Sequence, residues 1–315
     1  GGGRMELTTW TLDGQSDGPH VLISAGVHGD EFEPMAALRR LGVDMAKRTL
    51  RGRLTLIPVV NEDAFRLGQR TASDGLDLAR VCPGRSDGSI TERVAHALSR
   101  LIRSADLYLD LHTGGSKLTV QPLAGYMLHH DAGVRTRQRR LARIFGLPIV
   151  WGTDPSLEGR SLSVARDARV PAIYVEYLGG GGFHPEGVTA LEAGCRNVLA
   201  DLGMIDDPVQ IPESEPLVIE DDRTNSGFIQ NQHRAPAAGL FEPAVKLGQS
   251  VRRGDVLGTI SDLLGRHVVT VRVEQSGMLI VLRTFSWVSE SDGLGVILEI
   301  DHPPTARLKP PVGVT

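Results

Sequence analysis

Cysteine is almost missing from this chain: Cys82 and Cys195 are the only two among 315 residues. Two scattered thiols cannot build a disulfide framework or a Cys-rich metal site. Neither has a histidine or other base nearby, which argues against a thiol nucleophile. Long apolar runs are missing too, since none approaches the ~20 residues needed to span a bilayer, and neither end reads as a signal peptide. An excess of positive charge is also absent. Lys and Arg total 34 against 38 Asp and Glu, a net charge of −4, so no basic surface advertises nucleic-acid binding. No G-x-S-x-G, P-loop or G-x-G-x-x-G follows a strand, which leaves serine-hydrolase and nucleotide-enzyme chemistry without support. The remaining composition, 41% hydrophobic and 23% charged, is that of an ordinary globular enzyme. A reducing, cytoplasmic setting is expected. Gly1–Gly3 is set aside as a loose tail.

Up to about residue 203, short apolar runs alternate with helical stretches. Strands are expected at Val21–Val27, Leu54–Val60, Leu107–Leu111 and Ala172–Tyr177, each apolar on both faces as a buried parallel sheet requires. Ser89-x-x-Glu92 reads as a capping box ahead of Val94, Leu98, Leu101 and Ile102 on one helical face. Val134–Phe145 and Glu186–Leu202 read as helices closed by Gly146 and Gly203. This alternation predicts a three-layer α/β/α domain over residues 5–205, with ligands bound beyond the carboxyl ends of the strands. Residues 206–225, rich in Pro and acid, read as a linker. Residues 226–315 carry short β-prone runs broken by Gly and no convincing helix, the pattern of a small all-β barrel or sandwich. Within them KLGQSVRRGDVLGTI resembles the hairpin of lipoyl and biotinyl carriers, although the later tip, Leu264-Gly265-Arg266, lacks the modified lysine.

His28 and Glu31 in GVHGDE, with His112 in YLDLHTGG, form the main chemical pattern. An H-x-x-E pair alone is weak evidence, because 10 histidines give about half of one such pair by chance. Placement strengthens it: both clusters follow strands, so both lie at the mouth of one sheet. Two imidazoles and one carboxylate with an open fourth position suit a catalytic zinc, one per chain. Asp110 is positioned either to hydrogen-bond an imidazole ligand or to cap a loop. Glu176 interrupts the apolar strand AIYVEYL. A carboxylate there either pairs structurally or does acid–base work, since burying it bare is costly. The glycines from Gly179 to Gly182 allow close approach of substrate or form a turn. Arg66, Arg70 and Arg80 occupy a long turn-rich loop, suited to polarising a carbonyl or clamping a carboxylate. His129, His130, His184, His233, His267 and His302 lack partners at useful spacing and read as structural; among them His184 follows the glycine run.

In order, GxHGDE, NxxAFxxxxR, DGLDLxR, DLHTGG and a strand ending VEYLGG resemble the succinylglutamate desuccinylase/aspartoacylase family, relatives of the zinc carboxypeptidases. The match spans roughly residues 20–203, and the β-rich remainder resembles the family's C-terminal domain. The resemblance implies a zinc-carboxypeptidase-like catalytic domain holding zinc on His28, Glu31 and His112. It implies Glu176 as general base and acid, Arg70 as oxyanion stabiliser, and Arg80 as the partner of a substrate carboxylate. Arg66 of the arginine-bearing loop and Gly179 of the glycine run are further substrate-binding candidates on their own placement. The reaction implied is hydrolysis of a small N-acetyl or N-succinyl amino acid. The wording DGLDL…DLHTGG is nearest to deacetylases of N-acetylated diamino acids. One departure stands out: Asp77-Leu78-Ala79-Arg80 replaces the family's usual DLNR, removing an amide beside Arg80. The β-rich domain is expected to narrow the entrance. A carboxypeptidase acting on short peptides, and a non-enzymatic binding protein built on the C-terminal barrel, are the rival readings. A small N-acylated amino-acid-like partner is expected, nucleic acid and membrane are not, and homo-oligomer formation is compatible with the sequence.

Overall fold

The computed structural model describes residues 5–210, 212, 214–228 and 232–300. In chain order the elements are β1 (Trp10–Asp13), β2 (Ser16–Ala25), α1 (Phe32–Met45), β3 (Arg51–Ile57), α2 (Glu62–Leu67), α3 (Ile90–Arg103), β4 (Leu107–His112) and β5 (Leu118–Met127). Then follow α4 (Ala132–Phe145), β6 (Ile149–Thr153), α5 (Ser161–Asp167), β7 (Ala172–Gly179), α6 (Pro185–Asp201) and β8 (Leu217–Glu220). The rest is β-rich: β9 (Gly239–Pro243), β10 (Ser250–Val251), β11 (Val256–Ser261), β12 (Val268–Arg272), β13 (Gly277–Arg283), β14 (Trp287–Val288) and β15 (Gly295–Leu298). His302, read as structural from sequence, lies outside the described residues.

The fold is mixed α/β. Its main sheet runs β1-β3-β2-β4-β7-β5-β13-β10, with β6 beside β5, β8 beside β6 and β15 beside β13. Strands β3, β2, β4 and β7 are parallel, and β5 runs antiparallel to β7. The apolar runs read from sequence as strands form this centre because both of their faces are covered. Val21, Ile23 and Ala25 of β2 enter one hydrophobic cluster with Leu38 and Leu41 of α1 and Val188 and Leu191 of α6. Leu22, pointing the other way as strand pleating demands, enters a second cluster with Val94, Leu98 and Ile102 of α3. Removing such a fully buried leucine side chain costs about 2–5 kcal/mol.

Helix ends follow local chemistry. The Ser89–Glu92 capping box forms at α3, and Gly146 ends α4 in the left-handed region. The loop after β3 is more ordered than a turn-rich stretch suggests. Asn61 caps α2 by accepting from Ala64 N, and Asp77 likewise caps the short turn Leu78–Arg80.

The segment read as a linker is not a free connection. β8 lies within it and adds a parallel strand beside β6, while Asp206 and Asp207 pair with Arg51 and Arg48 at 2.9 and 2.6 Å. Three apolar residues flanked by Pro and acid carry no strand signal until a partner edge appears. The β-rich part also joins the main sheet, because β13 pairs with β5 at Val281↔Val120 and Arg283↔Leu118. Its second sheet, β12-β11-β9-β14, covers a separate core of Phe241, Ile260, Leu279, Val288 and Ile297. Among the described residues no helix is long and apolar enough to cross a membrane.

Candidate metal and acid–base site

One cavity beyond the carboxyl ends of β2, β4 and β7 is lined by His28, Glu31, Arg70, Arg80, His112 and Glu176. His28 and Glu31 reach it through the β2–α1 turn. Gly29 is required there, because a Cβ would sit 2.0 Å from the backbone of Ala64 in α2. Glu31 holds the N-cap position of α1, yet its side chain makes no capping bond. It turns into the cavity, lying 2.7 Å from His28 Nδ1 and 2.9 Å from His112 Nδ1, with Thr113 N donating at 3.3 Å. His28, Glu31 and His112 each place one donor atom within 4.8 Å of the others.

Behind each imidazole stands another carboxylate. Asp77 Oδ1 is 3.1 Å from His28 Nε2, and Asp110 Oδ2 is 3.2 Å from His112 Nε2. Asp110 therefore orients an imidazole rather than capping a loop. It is itself held by Ser24 Oγ at 2.8 Å and by Ser161 Oγ. Burial opposes ionisation of Glu31 and Asp77, but the imidazoles, with Arg70 for Asp77, outweigh it and hold both carboxyls well below the usual range. For His112, Asp110 and Glu31 likewise overcome burial and raise the imidazole well above its ordinary value.

Glu176 sits beside His112 in the register of β4 and β7. It is buried, its Oε2 has no hydrogen-bond partner, and burial pushes its carboxyl up to about 8. Arg70 donates to Asp77 Oδ2 from Nε and Nη2 at 3.2 and 3.0 Å, and its Nη1 lies 3.4 Å from His28 Nδ1 and 3.9 Å from Glu31 Oε1. Arg80, lowered to about 10 mainly by burial, donates to the Ala79 carbonyl at 2.7 Å. Ala79 itself lines the cavity.

Two residues singled out from sequence do not line this cavity. Arg66 is exposed on α2 and pairs with Glu62 at 3.0 Å. Gly179 closes β7 with φ +110, and a Cβ there would meet Gly114 N at 2.7 Å. His184 ties neighbouring segments together, its N–H donating to Glu33 and its Nε2 lying 2.9 Å from the Gly179 carbonyl. Cys82 is a buried thiol pushed up to about 12 by burial, so it is no nucleophile. Residues that sequence reasoning passed over complete the wall: Arg160, Tyr174 and Ser161, with Asp77 behind His28. Asp77 carries a readable signal, because it caps its own turn within the arginine-bearing loop. Arg160, preceded only by Gly159, carries no such signal.

The chain resembles known proteins along most of its length. The family model of the succinylglutamate desuccinylase/aspartoacylase catalytic domain matches residues 17–202. The N-alpha-acetyl-L-2,4-diaminobutyric acid deacetylase of Halomonas elongata is 33% identical over 296 residues, covering 92% of this chain and 85% of that protein. A succinylglutamate desuccinylase from Silicibacter sp. TM1040 superposes with a TM-score of 0.83 at 27% identity, covering 92% of this chain and 87% of that one. The product-bound ectoine utilization protein EutE (DoeB) from Ruegeria pomeroyi gives 0.79 at 27% identity, over 91% and 87% of the two chains. With the family model matching well over half of its residues, and this cavity at the matched strand ends, the chain belongs to the succinylglutamate desuccinylase/aspartoacylase family.

Proposed function

We propose that the cavity is the active site of a zinc-dependent amidohydrolase that removes a small acyl group from an N-acyl amino acid. The observation that carries this reading is the division of labour on the two imidazoles. Both Nδ1 atoms face Glu31 and both Nε2 atoms face a second carboxylate. Donating to two carboxylates at once takes a doubly protonated imidazole, because a neutral ring has one N–H. A cation taken up on the Nδ1 side would stand in for that second proton and leave Nε2–H to donate to Asp77 or Asp110, an arrangement common around metal-binding histidines. The donor set of two nitrogens and one carboxylate fits zinc. Zinc bound by His28, Glu31 and His112 supplies a Lewis acid for the amide carbonyl and lowers the pKa of water.

The remaining roles belong to the chain itself. Glu176, with an unpartnered oxygen and a raised pKa, takes a proton from the attacking water and delivers it to the leaving nitrogen. Arg70, held by Asp77, offers Nη1 to the oxygen on which negative charge develops. Arg80 and Arg160 hold the substrate carboxylate, which planar guanidinium groups accept in bidentate fashion. Lys117, Arg234, Arg283 and Asp292 line an outer cleft shared with Arg70, which supports an entrance narrowed by the β-rich region. The three-layer, zinc-carboxypeptidase-like architecture belongs to the same reading, supported by strand residues that alternate between two helix-covered clusters. A cytoplasmic setting accords with two buried free thiols.

The deacetylase of Halomonas elongata makes Nα-acetyl-L-2,4-diaminobutyrate the first substrate to try. A panel of N-acetyl and N-succinyl amino acids, assayed with and without zinc, tests the reading. Zinc-dependent release of the free amine is expected. No turnover of any member by the zinc-loaded chain would overturn it.

A further inference from the structure

Downstream of β8 the chain from Asp221 to Phe228 crosses back over the end of β6 and is pinned there. Asp154 Oδ2 accepts from Asn225 N at 2.7 Å. Ser226 Oγ accepts from Asp154 N at 2.7 Å and donates to the Asp221 carbonyl at 2.6 Å. Gly227 has φ +77, and a Cβ there would lie 2.8 Å from Thr153, so only glycine lets the backbone pass this close.

The pinned segment delivers Phe228. Its ring centroid lies 4.7 Å from the guanidinium carbon of Arg80 and 5.3 Å from that of Arg160. Arg160 Nη1 also donates to the Gly227 carbonyl at 3.3 Å. Two half-buried like charges on separate elements thus share one aromatic ring. The negative face of the ring attracts both guanidinium groups and offsets their mutual repulsion without adding a charge.

We propose that Phe228 is a positioning residue for substrate recognition, setting Arg80 and Arg160 as one paired receptor for the substrate carboxylate. The inference rests on the reading of this cavity as an acyl-amino-acid site. Its test uses the zinc-loaded full chain and two variants, Phe228→Leu, which keeps bulk without a ring, and Phe228→Tyr, which keeps the ring. The kinetic probe is Nα-acetyl-L-2,4-diaminobutyrate, or the panel member turned over fastest, together with its α-carboxamide. Phe228→Leu is expected to raise KM for the carboxylate substrate about ten-fold with kcat within about two-fold, and Phe228→Tyr to restore KM. KM for the carboxamide stays unchanged. A second measurement does not need activity: the Arg80 and Arg160 Nε–H resonances, assigned through Arg→Lys variants, lose their ring-current shifts in Phe228→Leu. An active wild type whose KM is indifferent to Phe228→Leu, or a KM loss equal for acid and amide, would overturn the inference while the proposed function stands. If the wild type turns over nothing, the proposed function falls and the resonances decide: shifts unchanged in Phe228→Leu overturn the pairing, and shifts lost support it.

Discussion

The two ends of the cavity are built in different ways. At the end that holds the candidate metal ligands, His112 and Glu176 sit in strands β4 and β7 and His28 lies in the turn after β2; the three strands are hydrogen-bonded neighbours. Their relative positions are set by sheet register, and each imidazole is fixed by a carboxylate behind it. At the guanidinium end, Arg80 comes from the loop after β3, Arg160 from the residue before α5, and Phe228 from the pinned segment after β8. Nothing repetitive sets their spacing; caps, ring contacts and the Asp154 anchor do. On the proposed reading, a rigid sheet carries the part where bond-making tolerates little displacement. On the same reading the loops carry the part that meets the substrate carboxylate, and loops vary at little cost to the fold.

Mutations at the two ends should therefore give different signatures. At the metal end, His112→Ala removes one of three donors. Metal per chain, measured by atomic emission after dialysis, should fall toward zero and turnover with it, and normal metal content would break the ligand assignment. Glu176→Gln should keep the metal and lower kcat about 10²–10⁴-fold; near-normal turnover would remove its proton-transfer role. Between the ends stands Arg70, and Arg70→Met should lower kcat about 10²–10³-fold if Nη1 meets the developing oxyanion. A pure KM effect would move Arg70 to the guanidinium end instead. Arg80→Lys and Arg160→Lys should each raise KM about ten-fold with little change in kcat, because lysine cannot offer a planar fork. Their double variant should cost less than the product of the two singles, since both contact one ring. The smallest effect belongs to Arg66→Ala, which should stay within about two-fold in both constants, as expected of a surface ion pair. A large loss there would restore Arg66 to the substrate site.

Legibility in the sequence followed the same division. The runs VLISAGV and LYLDLH read as strands by composition, which puts His28 and His112 at a sheet mouth on sequence grounds. Glu176 drew notice because a charge interrupting AIYVEYL conflicts with burial. Arg160 and Phe228 had no such contrast with their surroundings, being an arginine after glycine and a phenylalanine after glycine in connecting segments. β8 was hidden for a related reason: LVIE is too short to read as a strand until β6 presents an unpaired edge. The boundary before the β-rich region was drawn on texture, and texture does not reveal that β13 pairs with β5.

From the sequence alone came the element types, the alternating burial of the central strands, and the residues carried at strand ends. Those follow from local periodicity, which the chain states along its own length. Only the tertiary structure decided which carboxylate stands behind each imidazole, which arginines share the cavity, and that Phe228 contacts two of them. Contacts such as Asp77 to His28, or Phe228 to Arg80, join residues far apart in the chain, and their geometry depends on every intervening element being packed.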